Sequence, residues 1–165
     1  MTNNDCLRRI RYILSFDDSA MINTFAHVDQ QVSREQLCTL LKKDDDPDFE
    51  ECSDTLLAAF LNGLIIEKRG KREGEQPQPE KRLNNNMIFI KLRIAFGLKA
   101  EDILSLFSLV DFRISKHELS AFFRKPKTRQ YRACKDQILR NFLSALQSKY
   151  HKNDEAEVLY KGKAG

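Results

Sequence analysis

The sequence of 165 residues has no tryptophan, six glycines and four prolines. No Gly-rich phosphate loop and no nucleophile elbow can be traced in it. Four cysteines, Cys6, Cys38, Cys52 and Cys134, form no C-x-x-C pair. They read as small core residues in a reducing compartment, neither disulfide partners nor zinc ligands. Histidine occurs three times, at His27, His117 and His151, in no metal-ligand spacing. No metal, no cofactor and no enzymatic activity is therefore expected. No apolar run approaches the roughly 20 residues of a membrane span. The opening MTNNDCLRRIRY has no apolar core of a signal peptide, so the expected location is the cytoplasm.

What is present is a repetition. Residues 3–64 align with residues 85–146 at a constant offset of 82, without a gap. Fifteen of these 62 pairs are identical, among them Asn3/Asn85, Asn4/Asn86, Arg11/Arg93, Asp29/Asp111, Ser33/Ser115, Cys52/Cys134 and Asp54/Asp136. Chance at ordinary composition gives roughly four. Many other pairs exchange one apolar residue for another, such as Leu7/Phe89 and Leu40/Phe122. The fold class follows: all-α, a tandem duplication of a four-helix unit, with the two copies packed in approximate internal symmetry. Each copy is near the lower size limit for a core of its own, which argues for packing of one on the other. Neither His27 nor His117 recurs in the other copy; their counterparts are Leu109 and Glu35.

Charge does not repeat. Residues 1–69 carry 8 basic and 13 acidic side chains, whereas residues 83–150 carry 13 and 5. The net charge of +4 hides a strong dipole between an acidic and a basic copy. Such asymmetry suits nucleic acid, or attraction between copies or subunits.

Taken in order, residues 3–64 form the first repeat. Asn3 or Asn4 is expected to cap a first helix with Leu7, Ile10 and Leu14 inward, and Asn84–Asn86 to do the same for the copy. A functional amide pair is the alternative. Asp17 or Asp18 caps a second helix carrying Met21, Ile22, Phe25 and Val28. Ser33-Arg34-Glu35-Gln36 and Ser115-Lys116-His117-Glu118 are capping boxes that open a third helix. Prolines at 47 and 126 end it. The run Asp44-Asp45-Asp46 lacks the spacing of a calcium loop and reads as a solvated turn. A fourth helix is expected from about residue 50 to 62, and from 131 to 148 in the copy. Residues 65–83 read as a charged Gly/Pro linker, with a short hairpin near 63–70 as the alternative. Residues 84–148 are the second repeat, and 149–165 a fraying tail.

Two charged identities fall on or beside apolar stripes. Arg11 lies among Leu7, Ile10 and Leu14, and Asp54 borders the Leu57/Leu61 face; Arg93 and Asp136 repeat both placements. A buried guanidinium needs a carboxylate. The expectation is two structural pairs, Arg11–Asp54 and Arg93–Asp136, with Asp29 and Asp111 as second choices. If both pairs line an open cleft, a ligand site is the alternative.

The combination of Asn-Asn before an Arg-bearing helix, VSREQL and ISKHEL, DPDFEECSD, FLNGLI and the RKP…YRACKDQILRNFL run resembles the YehS-like bacterial proteins. The resemblance spans residues 3 to about 146 and implies a bacterial protein of two related helical domains, with no established activity. Two functions then stand. One is a non-catalytic protein-interaction or regulatory module, binding a protein partner or itself. The other is nucleic-acid binding, with helices two and three as a helix-turn-helix-like element. Its basic face would be Lys116, Arg124, Lys125, Lys127, Arg129, Arg132, Lys135 and Arg140, which would equally suit an acidic partner.

Overall fold

The computed structural model describes residues 1–151; the tail expected to fray lies, from 152 on, outside the described residues. The helices are α1 Asn3–Leu14, α2 Asp18–Ala26, α3 Arg34–Leu40, α4 Asp54–Arg69, α5 Asn85–Phe96, α6 Ala100–Ser108, α7 Lys116–Phe122 and α8 Asp136–Tyr150. There is no strand among the described residues. Every helix of the second unit begins 82 residues after its counterpart, so the duplication in sequence is a duplication in structure.

Local chemistry explains these boundaries. Asp17 accepts the Ala20 N–H at 2.8 Å, and Ser33 and Ser115 accept those of Gln36 and Glu118 at 3.0 Å. Each bond satisfies an amide that the helix cannot pair internally. Asp29 and Asp111 close the turn that follows the second helix of each unit, at φ 59° and 53°. The next residues, Gln30 and Phe112, return their N–H groups to Phe25 and Phe107. Aspartate tolerates this left-handed conformation better than most side chains, which accounts for its repetition.

Several expectations need correction. Thr2 caps α1, not Asn3 or Asn4, whereas Asn84, among the expected asparagines, caps α5. The inward stripe of α1 is Cys6, Leu7, Ile10 and Ile13, with Leu14 at its margin. Helix α4 begins at Asp54, and α8 at Asp136, because residues 43–53 and 125–135 form loops, turns first and then irregular chain. Helix α4 then runs to Arg69, past the expected linker boundary, and excludes the hairpin. Its last turn carries Lys68 and Arg69, which suit the negative end of the helix dipole, and Gly70 follows at φ 85°. Cys38 is exposed, unlike the three buried cysteines.

One continuous core serves both units. Phe25, Phe60, Phe89, Phe107 and Phe142 are fully enclosed. Phe89 stacks on Phe142 with ring centroids 4.3 Å apart, and Phe25 lies 5.2 Å from Phe60. Helix α4 packs on α5, and α1 on α8. Because α5 is the counterpart of α1 and α8 that of α4, the two contacts are reciprocal. Polar bonds repeat the exchange. Leu83 donates its N–H to Asp54 at 2.9 Å, and the Met1 ammonium donates to Asp136 at 2.8 Å. Lys91 reaches Asn62 at 2.6 Å, and Arg9 reaches Ser144 at 2.9 Å. In each couple donor and acceptor occupy equivalent positions with the units swapped. The units are thus related by an approximate internal twofold axis.

Candidate functional site

The repeated asparagines organise one end of the molecule. Asn4 donates to the carbonyls of Leu40 and Glu50 at 2.9 and 2.8 Å, and accepts the Cys52 N–H at 2.9 Å. Asn86 does the same with Phe122, Arg132 and Cys134, at 3.1, 2.8 and 2.8 Å. Both amides are buried, so each replaces solvent for three backbone groups that no helix satisfies. Asn3 bridges the Cys52 carbonyl and the Asp54 carboxylate, and Asn85 bridges Cys134 and Asp136. The start of α1 is thereby fastened to residues 43–54, and the start of α5 to residues 125–136. The Leu83–Asp54 and Met1–Asp136 bonds bring these two assemblies together. The N-termini of α1, α4, α5 and α8, with both loops, gather at this end.

The two loops have one backbone and opposite charge. Asp46 N–H donates to Lys43 O, and Thr128 N–H to Lys125 O, both at 3.0 Å. Phe49 donates to Asp46, and Tyr131 to Thr128; Glu50 donates to Thr39, and Arg132 to Ala121. On this common frame residues 43–53 carry one lysine and six carboxylates, Asp44, Asp45, Asp46, Asp48, Glu50 and Glu51. Residues 125–135 carry five cations and no carboxylate. The stretches are therefore −5 and +5 over 11 residues each. Asp44, Asp45, Asp48, Glu50 and Glu51 are exposed, as are Lys125, Lys127, Arg129, Arg132 and Lys135. Among the described residues no ion pair joins one loop to the other, or uses a charge of either loop.

The eight basic residues singled out in the sequence are all exposed and come from α7, the loop that follows it and α8. Arg124, Lys125, Lys127, Arg129, Arg132 and Lys135 belong to the loop and its edge. Lys116 begins α7 and pairs with Glu101 of α6 at 3.2 Å. Arg140 lies one turn into α8, 3.9 Å from Asp136. The acidic copy does not cover the basic stretch. What sequence reading missed is that the acidic turn lies at the same end of the molecule as the basic one; the 82-residue offset that pairs Glu50 with Arg132 was the available signal.

The expected Arg–Asp pairs are not formed. Arg11 donates through Nε to the Phe16 carbonyl at 3.1 Å and pairs with Asp18 at 2.9 Å. Arg93 donates through Nε to Leu98 at 3.2 Å and lies over the Phe123 ring, 4.7 Å from its centroid. Both arginines tie down the turn after their own helix. The reason for the correction is direction. Asn3, at the start of α1, already touches Asp54, so Arg11 eight residues on is about 12 Å further along the helix. Asp54 instead takes Asn3 and Leu83, whose hydrogen bonds hold its carboxyl below the usual range. Asp136 is held low first by the Met1 ammonium and then by Asn85. The ligand-site alternative loses its premise with the pairs.

Elsewhere, a shallow depression of about 620 Å³ is lined by Arg8, Arg11, Tyr12, Ser15, Phe16, Asp17, Leu41 and His151. Its guanidinium groups are engaged: Arg8 bonds Lys42 O and Asp5, and Arg11 is bound as above. Burial pushes the thiols of Cys6, Cys52 and Cys134 up to about 11, 12 and 12, so they stay protonated and poorly nucleophilic at neutral pH. Among the described residues no cluster of three or more His, Cys, Asp or Glu side chains is placed to hold a metal ion. No helix there is long and apolar enough to cross a membrane.

Comparison with known proteins follows the same division. A family model described as "Protein of unknown function (DUF1456)" matches residues 3–70 and again residues 85–151. The "Uncharacterized protein YehS" of Escherichia coli (strain K12) is 43% identical over 152 residues, covering 92% of this chain and 97% of that protein. No solved structure matches. The chain belongs to the DUF1456 family, and each of its units is one copy of the family's domain.

Proposed function

We propose that this family member is a non-catalytic cytoplasmic docking module, which holds a protein partner at the end that carries both its acidic and its basic loop. One observation carries the reading. Two loops with the same backbone display −5 and +5 at one end of the molecule, exposed and, among the described residues, in no ion pair. Opposed charges displayed on one end provide orientation and selectivity for a partner with the reverse pattern. The buried amides of Asn4 and Asn86 hold both loops in shape through hydrogen bonds within the chain. A nucleic acid is a poorer match, because its phosphates would meet six carboxylates beside the five cations.

The test is capture from a native bacterial extract, with and without nuclease. Baits are the wild type and two variants, K125E/K127E/R129E and D44K/D45K/D48K. A specific protein retained by the wild type, lost from both variants and indifferent to nuclease is the expected result. Retention that disappears with nuclease would replace this reading with the nucleic-acid one. Retention unaltered by either reversal would remove the loops from the argument.

A further inference from the structure

We infer that the occupant of the docking end is a second copy of this chain, joined end to end in a closed twofold pair. The inference rests on the docking reading and specifies its partner. The acidic stretch 43–53 and the basic stretch 125–135 are equal in length, equal and opposite in charge, and alike in backbone. They flank the internal twofold axis at one end of the molecule, because Asn3 and Asn85 tie each to the start of a helix at that axis. Consider two copies facing each other through this end, related by a half turn about a line perpendicular to the internal axis. Each acidic loop then lies against the basic loop of the other copy. Both contacts form at once, so the assembly closes at two chains and does not grow into a fibre. The internal duplication is what makes this possible. Two loops of common backbone present charges at matching height and spacing, and a partner of uniform charge would be repelled by one of them. The absence of any ion pair between the loops among the described residues leaves both free for this contact.

An association of this kind must weaken with salt, since the screening length falls from more than about 10 Å below 0.1 M to about 3 Å at 1 M. Sedimentation velocity of the whole, untagged chain reads it without any substitution. The expected result is a dimer in dilute salt that dissociates in about 1 M NaCl, with affinity falling about tenfold or more. The loop variants give the sharper test. K125E/K127E/R129E has two acidic loops and D44K/D45K/D48K two basic ones, so each should be monomeric alone. Mixed in equal amounts they should form a one-to-one heterodimer, with unchanged helical circular dichroism for both. A wild type that stays monomeric in dilute salt at high concentration overturns the inference. So does a dimer that survives in both variants, or a mixture of well-folded variants that fails to associate. If the wild type is monomeric but the extract experiment still yields a loop-dependent protein, only the second-copy inference fails. If neither appears, the docking reading falls with it.

Discussion

Glu50 and Arg132 occupy the same place in the two units. Each gives its carbonyl oxygen to a buried asparagine, Asn4 or Asn86, at 2.8 Å. Each sends its amide to the end of the preceding helix. Only the side chains differ, and they differ in sign. The comparison separates two kinds of constraint. Where a residue satisfies buried backbone the copies agree, as at Asn4/Asn86, and where it fills the core they keep it or exchange it for another apolar residue, as at Leu57/Leu139 and Leu7/Phe89. Where a side chain faces water on a backbone held by other groups, it was free to diverge, and the loops diverged to opposite charges.

The largest expected difference between the units lies where they disagree inside the core. Gly63 faces Thr24, and a Cβ there would stand 1.9 Å from the Thr24 carbonyl oxygen. Its counterpart is Ala145, fully buried in α8. Helices α2 and α4 therefore meet more closely than an alanine allows. Gly63→Ala should cost about 3 kcal/mol or more, because backbone and not a flexible side chain must move. Ala145→Gly should cost only about 1 kcal/mol, for chain entropy and a lost methyl contact. Urea unfolding of both variants checks this, and equal costs would break the distinction.

Next in size are Asn4→Ala and Asn86→Ala. Each leaves a buried N–H and two carbonyls without a partner, for about 2–3 kcal/mol. The two losses should match within about 0.5 kcal/mol, because the three bonds are the same in kind and close in length. A large loss in one unit and none in the other would show that the brackets are not equivalent.

These asparagines also show how far the sequence could be read. The duplication, the serine caps at 33 and 115 and the apolar positions follow from spacing alone. That Asn4 binds backbone 36 to 48 residues away does not, because an asparagine before a helix carries the same local signature as a cap. Arg11 and Asp54 were legible as charges needing partners. Their partners depend on which ends of α1 and α4 meet, and periodicity within one helix is silent on that. The charge asymmetry was plain in composition, but its concentration on two matched loops at one end required the bonds of Asn3, Asn85, Leu83 and Met1.

Acid should sharpen the comparison further. Both Asp54 and Asp136 have lowered carboxyl pKa values in the folded state. A group of this kind adds stability above its unfolded pKa of about 3.9, and the contribution is lost as pH falls through the lower folded value. Stability measured downward from about pH 5 should therefore decline in the acid range. The causes differ between units. Asp136 depends first on the Met1 ammonium, whereas Asp54 depends on the Asn3 amide and the Leu83 N–H. Acetylating the N-terminal amine should raise the Asp136 carboxyl in an NMR titration and leave Asp54 where it was. Equal movement of both would contradict the exchanged partners.

The smallest expected effect separates Arg11 from Arg93. Each loses one Nε–carbonyl bond on substitution by methionine, to Phe16 or to Leu98. What remains is different in kind. Arg11 pairs with Asp18, whose side chain is 43% exposed, and an exposed ion pair is worth up to about 1 kcal/mol and weakens in salt. Arg93 rests on the face of Phe123, and that attraction, also of about 1 kcal/mol, acts over van der Waals distance where mobile ions do not enter. Methionine preserves much of the apolar stem in both. The two substitutions should therefore cost about the same in dilute buffer, near 1–2 kcal/mol. In about 1 M NaCl the cost of Arg11→Met should fall by about 0.5 kcal/mol, while that of Arg93→Met holds. If salt changes both alike, the aromatic contact does not substitute for the carboxylate, and the repeated arginine is kept in each unit for the carbonyl bond alone.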